Sequence, residues 1–170
     1  RGLDQLHQAI DRIVARIPAG ESCVHAVTMT GEMVDLFETR QAGVAALTAL
    51  LDQRLGAGRI HFYAGTHGWL DVRQACQHAG WVASANWHAT SHRVSTCINE
   101  ALLVDIGSTT TDLIPIRNHT VATSSSSDRD RLSAGELVYT GVARTPVMAL
   151  ASDAPVAGHF TPLMAEHFAT

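Results

Sequence analysis

An aspartate, a glycine and a run of hydroxyls fall together in the string Asp105-Ile-Gly-Ser-Thr-Thr-Thr-Asp112, and those residue types suit a phosphate. Asp105 can hold a hydrated Mg²⁺ beside a phosphate group. Gly107 lacks a Cβ, so backbone N–H groups can come up against phosphate oxygens. Ser108, Thr109, Thr110 and Thr111 add hydroxyl donors. Asp112 can brace the turn by accepting from its backbone. The plain alternative is an ordinary hairpin with a polar Gly-Ser-Thr tip.

The flanking residues decide what kind of turn this is. Ala101 to Ile106 reads as a strand too apolar to be half-exposed. Leu113 to Ile116 is a second strand close behind it. The intervening threonines favour strand over helix because they branch at Cβ. The order is therefore strand, tight turn, strand. Dinucleotide and P-loop sites run strand, glycine loop, helix instead. All 12 basic residues are arginines. Without lysine, a Walker-type P-loop and Schiff-base chemistry are excluded within this chain.

Other residues are candidates on chemistry alone. Glu32 follows an apolar run and precedes a helix, where it can act as a general base or orient water; a solvated loop acid is the alternative. Arg144, expected at a helix end before Pro146, can clamp a phosphate group bidentately or pair with Glu136. Tyr139 and Thr140 can line a cleft, although a core tyrosine is as reasonable. His88 and His92 have the i, i+4 spacing of a zinc pair. They lack the intervening glutamate of the zinc-protease pattern, so chance spacing is the stronger reading. Trp69, Trp81 and Trp87 read as packing residues, with a stacking platform for an aromatic ligand ring as the alternative.

The pattern that positions these residues is α-β-α-β-α-α-β-β-α. Leu3 to Ile17 has helical spacing and stops at Pro18-Ala-Gly20. Cys23 to Thr30 reads as a short buried strand. Ala42 to Leu55 is a helix ended by Gly56-Ala-Gly58. Arg59 to Ala64 alternates as a strand with Ile60, Phe62 and Ala64 on one face. Leu70 to Ala79 reads as a helix closed by Gly80, and Ser84 to Cys97 as another. Asn118 to Asp130 reads as a polar loop around Ser124-Ser-Ser-Ser127. Leu132 to Val142 reads as helix. The tail beyond Ser152 follows no clear period. Alternation of this kind argues an α/β protein with helices over a sheet.

The 170 residues suffice for one domain with a core, and 46% are hydrophobic. Mean hydropathy is +0.07. Net charge is −4 with no basic run, so a nucleic-acid partner, which needs clustered cations, is not expected. Cys23, Cys76 and Cys97 are odd in number and far apart, which suits free thiols in a reducing, cytoplasmic setting. No stretch approaches the ~18 apolar residues of a membrane helix. Both ends read as cut, so the chain is expected to be part of a longer protein.

Three further strings accompany the turn. They are Thr28-Met-Thr-Gly-Glu-Met33, Ala83-Ser-Ala-Asn-Trp87 and Arg131-Leu-Ser-Ala-Gly-Glu-Leu-Val-Tyr-Thr-Gly-Val-Ala-Arg-Thr-Pro-Val147. The turn itself resembles the second phosphate motif of the actin and sugar-kinase ATPase superfamily. In this order, from about Cys23 to Leu150, the strings resemble the hydantoinase/oxoprolinase-like proteins of the tetrahydromethanopterin-linked one-carbon pathway. That family includes the archaeal enzyme that builds the ether linkage of methanofuran.

The resemblance implies an actin-like ATPase (ribonuclease H-like) fold, present as a partial chain. Residues 1–100 would be the remainder of a first lobe and residues 101–170 the second phosphate lobe, with the first phosphate turn lying before Arg1. It implies a synthase that condenses a furan-methyl diphosphate with a γ-glutamyltyramine-like phenol and releases diphosphate. Asp105 and Glu32 would be catalytic, with Asp105 reaching Mg²⁺ through water. Gly107, Ser108, Thr109, Thr110, Thr111 and Arg144 would bind phosphate. The expected partners are a small-molecule diphosphate and a phenol or amine acceptor, with no membrane, and a homodimer is compatible. Two alternatives are an ATP-dependent kinase or hydantoinase-like ATPase, and a non-catalytic nucleotide-binding module. Related hydantoinases carry Gly-Gly-Thr where this chain has Gly107-Ser-Thr109; the serine keeps a donor and narrows the approach.

Overall fold

The computed structural model describes residues 2–17, 23–32, 34, 36–56, 58–123, 125, 127–145, 148 and 150–163. The chain is a mixed α/β protein of two compact units, Arg1–Arg93 and Val94–Thr170.

The first unit is built on a three-stranded sheet. β1 (His25–Val27) lies parallel to β2 (Ile60–Tyr63), and β3 (Trp69–Leu70) lies antiparallel on the other side of β2. Ile60, Phe62 and Ala64 are buried, as their alternation implies. Helix α1 (Leu3–Val14) buries no residue fully, but Leu3 and Leu6 pack on the core. Helix α2 (Arg40–Leu55) starts where Thr39 Oγ1 accepts from Ala42 N at 3.1 Å, and it ends at Gly56 with φ 91°. Val44, Leu47 and Leu50 turn inward from α2. The same face carries Gly43 for a reason of space. A Cβ there would stand 2.3 Å from the carbonyl oxygen of Glu32.

Two expectations change in this unit. The Cys23–Thr30 run yields only the three residues of β1, and they are half-buried rather than buried. Leu70 to Ala79 is not one helix. Tyr63 and Phe62 pair with Trp69 and Leu70 as strand. Helix α3 (Val72–Gln77) then begins at a reciprocal cap, in which Asp71 Oδ1 accepts from Gln74 N at 2.7 Å and Gln74 Oε1 from Asp71 N at 3.0 Å. Helix α4 (Ala79–Val82) follows with Gly80 inside it, and α5 (Asn86–Ser95) runs across the unit boundary.

The second unit centres on a hairpin. β4 (Ala101–Ile106) and β5 (Thr111–Arg117) pair antiparallel along their full length. β6 (Thr120–Val121) pairs the far end of β5, and β7 (Leu137–Val138) pairs its turn end. β8 (Asp153–Val156) and β9 (His159–Pro162) make a separate hairpin from the tail. Helix α6 (Asp128–Ala134) is capped by Ser127, whose Oγ accepts from Asp130 N at 3.2 Å.

Here too expectations are corrected. β4 is apolar but not buried: Leu102, Val104 and Ile106 are 60%, 47% and 58% exposed. The polar loop after Asn118 contains β6 and the start of α6. The helix expected over Leu132–Val142 ends early, because Gly135 adopts φ 73° and ψ 13° and turns the chain into β7. Arg144 is therefore on a loop and not at a helix end. All three cysteines are free. No helix among the described residues is long and apolar enough to cross a membrane. Pro18-Ala-Gly20, Pro146 and Val147 lie outside the described residues.

Candidate functional site

The Asp105–Asp112 string folds as the tip of the β4–β5 hairpin. Asp105 faces Asp112 across the ladder, and Ile106 faces Thr111. Gly107 N donates to Thr110 O at 2.8 Å and closes the turn. A second segment then wraps the tip. Val142 N donates to Gly107 O at 3.1 Å, while Ala143 N and Arg144 N donate to Ser108 O at 3.1 and 2.8 Å. Thr111 Oγ1 donates to Thr140 O at 2.5 Å. Gly141 is what allows this approach, since a Cβ there would lie 2.5 Å from the Ser108 carbonyl carbon and the Thr109 nitrogen. Thr145 Oγ1 pins the collar by accepting from Gly141 N and donating to Gly141 O, both at 2.7 Å.

The collar sorts the polar groups of the turn. The Gly107, Ser108 and Thr110 carbonyls are all engaged. The N–H groups of Ser108, Thr109 and Thr110 have no hydrogen-bond partner among the described residues. The Ser108 and Thr109 hydroxyls lie 3.4 Å from one another, with Ser108 exposed. Successive unspent N–H groups in a turn are a feature that anion-binding turns share. Thr111 is different, because its hydroxyl proton is already given to Thr140.

Two carboxylates flank the turn and have separate fates. Asp112 is held by Arg131, with Nη2 to Oδ1 at 2.7 Å. Arg131 is 1% exposed, and the same Nη2 donates to Glu136 O at 3.2 Å. Asp112 thus braces the turn through a buried arginine rather than by accepting from turn backbone. Asp105 is exposed and has no side-chain partner among the described residues. No three His, Cys, Asp or Glu residues among those described cluster as a metal cage. The donor set still fits Mg²⁺, which keeps most of its waters and is bound through one or two carboxylates plus phosphate.

Arg144 lies exposed at the collar, its backbone on the turn, and its guanidinium meets no carboxylate among the described residues. The alternative partner, Glu136, accepts from the Thr123 hydroxyl instead. Tyr139 is exposed and not a core residue. Arg131 is the functional-site residue that reading the sequence missed. An arginine inside a short polar helix reads as solvated; the one available signal was its place at the head of the Arg131–Val147 string.

Glu32 belongs to the first unit and is not a solvated loop acid. It is 1% exposed. Ser84 Oγ donates to its Oε1 at 2.9 Å, and its Oε2 has no partner among the described residues. Ser84 holds φ 54°, an uncommon conformation for a residue with a Cβ. His88 Nδ1 is bonded to Tyr63 Oη at 2.8 Å, and the His88 and His92 rings lie near-parallel with centroids 6.3 Å apart. Burial, then the neighbouring His92, push the His88 pKa down, and burial pushes the Tyr63 pKa up. Trp87 is buried, whereas Trp69 and Trp81 are partly open.

Comparison with known proteins follows the same strings. The family model described as hydantoinase/oxoprolinase matches residues 24–161. A (4-{4-[2-(gamma-L-glutamylamino)ethyl]phenoxymethyl}furan-2-yl)methanamine synthase from Methanocaldococcus jannaschii is 34% identical over 145 residues, covering 85% of this chain and 43% of that protein. A protein of the same name from Methanococcus vannielii is 43% identical over 68 residues, covering 40% of this chain and 30% of that protein. The chain thus spans less than half the length of the curated relatives it matches. Because the family match takes in Glu32, the phosphate-suited turn and the collar that wraps it, this chain belongs to the hydantoinase/oxoprolinase family.

Proposed function

We propose that this chain is part of a synthase of methanofuran-type cofactor biosynthesis, in which the Gly107–Thr111 turn grips the diphosphate of a furan-methyl diphosphate. The fold would be actin-like, with this chain contributing the turn of one lobe. The observation that carries the reading is the sorting of the turn: the Gly107 and Ser108 carbonyls are spent on the collar, and the Ser108, Thr109 and Thr110 N–H groups have no partner among the described residues. The relatives' names support the rest, because they describe a product in which a phenol oxygen is joined to a furan-bound methylene.

Such a product forms when the phenol loses its proton and its oxygen bonds to the methylene carbon. The carbon–oxygen bond to diphosphate breaks, and its electron pair leaves on the diphosphate. The protein's part is to stabilise that leaving charge and to take the proton. Ser108, Thr109 and Thr110 face the diphosphate, with Arg144 as a clamp. Asp105 would hold Mg²⁺ through water, and the ion would offset the departing charge. Glu32 is the proposed proton acceptor, its Oε1 held by Ser84 and its buried Oε2 without a partner among the described residues.

Calorimetry with Mg-diphosphate and Mg-ATP tests the reading. Diphosphate should bind the more tightly, and Asp105→Asn should weaken it by about tenfold or more, or about 1.4 kcal/mol. Tighter ATP binding accompanied by hydrolysis would sink the synthase reading in favour of an ATP-dependent enzyme.

A further inference from the structure

The tryptophans of the first unit are not equally available to a ligand. Trp87 is 7% exposed. Trp81 is partly open, yet His67 stacks on it at 3.9 Å and 13° and His78 at 4.0 Å and 5°. The two imidazoles do not touch each other, which places them on opposite faces of the indole. Trp81 therefore has no face to offer. Trp69 is 52% exposed, and Tyr63 meets it edgewise, with centroids 5.1 Å apart and planes at 66°. No ring is stacked on it among the described residues.

Tyr63 is the ring that links this indole to an imidazole with an unspent nitrogen. Tyr63 lies opposite Trp69 across the β2–β3 ladder, and its ring centroid is 5.9 Å from that of His88. Its hydroxyl occupies Nδ1 of His88. Nε2 of His88 has no hydrogen-bond partner among the described residues, and the residue is only half-buried. The hydrogen on the Tyr63–His88 bond can sit on either atom. With Tyr63 donating, Nε2 carries a proton; with His88 donating, Nε2 is an acceptor.

The geometry points to a seat for a phenol here, with the ring laid on the open face of Trp69 and the hydroxyl on Nε2 of His88. A phenol hydroxyl both donates and accepts, so it satisfies either tautomer; an ether oxygen or a ring carbon does not. An aromatic face supplies the remaining contact. The seat adjoins the proposed proton acceptor along the chain, since Ser84, which holds Glu32, comes just before the helix that carries His88. The inference rests on the proposed synthase reading only for the identity of the phenol as acceptor substrate.

Ligand-observed NMR on the 170-residue chain tests it, with tyramine as probe and phenethylamine, which lacks the hydroxyl, as control. No diphosphate is present, so the test does not depend on the turn. Tyramine should bind about fivefold more tightly than phenethylamine, the worth of one hydrogen bond. His88→Ala should erase that difference, and His88→Gln should keep part of it. Trp69→Ala, at an exposed site, should weaken both probes by about fivefold with an unchanged thermal midpoint. Equal binding of the two probes, or Trp69→Ala binding like the parent, overturns the seat. Tyramine binding with no affinity for Mg-diphosphate would sustain the seat and sink the turn's assignment, and the converse result would do the reverse.

Discussion

The two units are held together by different means. In Arg1–Arg93, helices α2 and α3 pack on the sheet and α4 on those helices, and Val44, Phe62, Ala75 and Val82 are sealed from water. In Val94–Thr170, Ile114, Ile116 and Leu137 are buried, while Leu102, Val104, Ile106, Val142 and Phe160 stand exposed. That second unit depends on its hydrogen-bonded ladder, the collar and the Arg131–Asp112 pair. The difference teaches where each unit keeps its chemistry. The first places polar groups such as Glu32 against a finished apolar core. The second makes its binding groups out of the backbone that holds it together.

Substitutions can break that contrast. Phe62→Ala should cost the first unit about 3–5 kcal/mol, the cost of emptying a packed aromatic site. Hydrogen exchange resolved by residue should show the loss in α2 and β2 while β4 and β5 keep their protection. Equal loss in both units would mean that they share one cooperative core. Arg131→Met should cost about 3 kcal/mol in the second unit, since Asp112 loses its buried partner. Denaturant unfolding of this variant with Asp112→Asn added should recover part of the loss, and no recovery would remove the pair from the account.

Gly141→Ala is a finer probe. The added methyl meets backbone at 2.5 Å, so the collar must move at a cost of about 1–3 kcal/mol. Mg-diphosphate binding should fall far more than stability does. A variant that binds as the parent would show that the collar does not set the turn. The smallest effect concerns pH. His88 titrates below the ordinary imidazole value of 6.5, chiefly through burial. The unfolded chain therefore takes up that proton first as pH falls, and the first unit loses stability below about 6.5. Thermal midpoints across pH 5 to 8 should slope less for His88→Gln; an unchanged slope would assign the acid sensitivity elsewhere.

The hairpin was legible because β-branched residues flank a lone Asp-x-Gly turn, and α2 because its apolar spacing ends at Gly56. The misreadings have local causes. Trp69 and Leu70 sit at helical spacing to α3, and only the Asp71–Gln74 cap shows where the helix starts. Leu132 to Val142 keeps a helical period across Gly135, and one left-handed residue undoes it. β4 is as apolar as a central strand, but burial depends on what lies over a strand, and composition does not record that. The Glu32–Ser84 bond joins residues 52 apart, and no spacing rule reaches across such a separation.

One consequence of the collar concerns the order of folding. Thr111 and Thr140 are 29 residues apart, and their bond forms only after the intervening chain has closed as a loop. The β4–β5 hairpin can zip early from its own neighbours, as local contacts do. Its Gly107 and Ser108 carbonyls are taken up only when the later segment arrives. A peptide spanning 101–117 would carry every residue of the apparent motif and still be an unfinished tool. The same holds for transplantation into another scaffold: the portable unit is the hairpin together with the strand and loop that finish it.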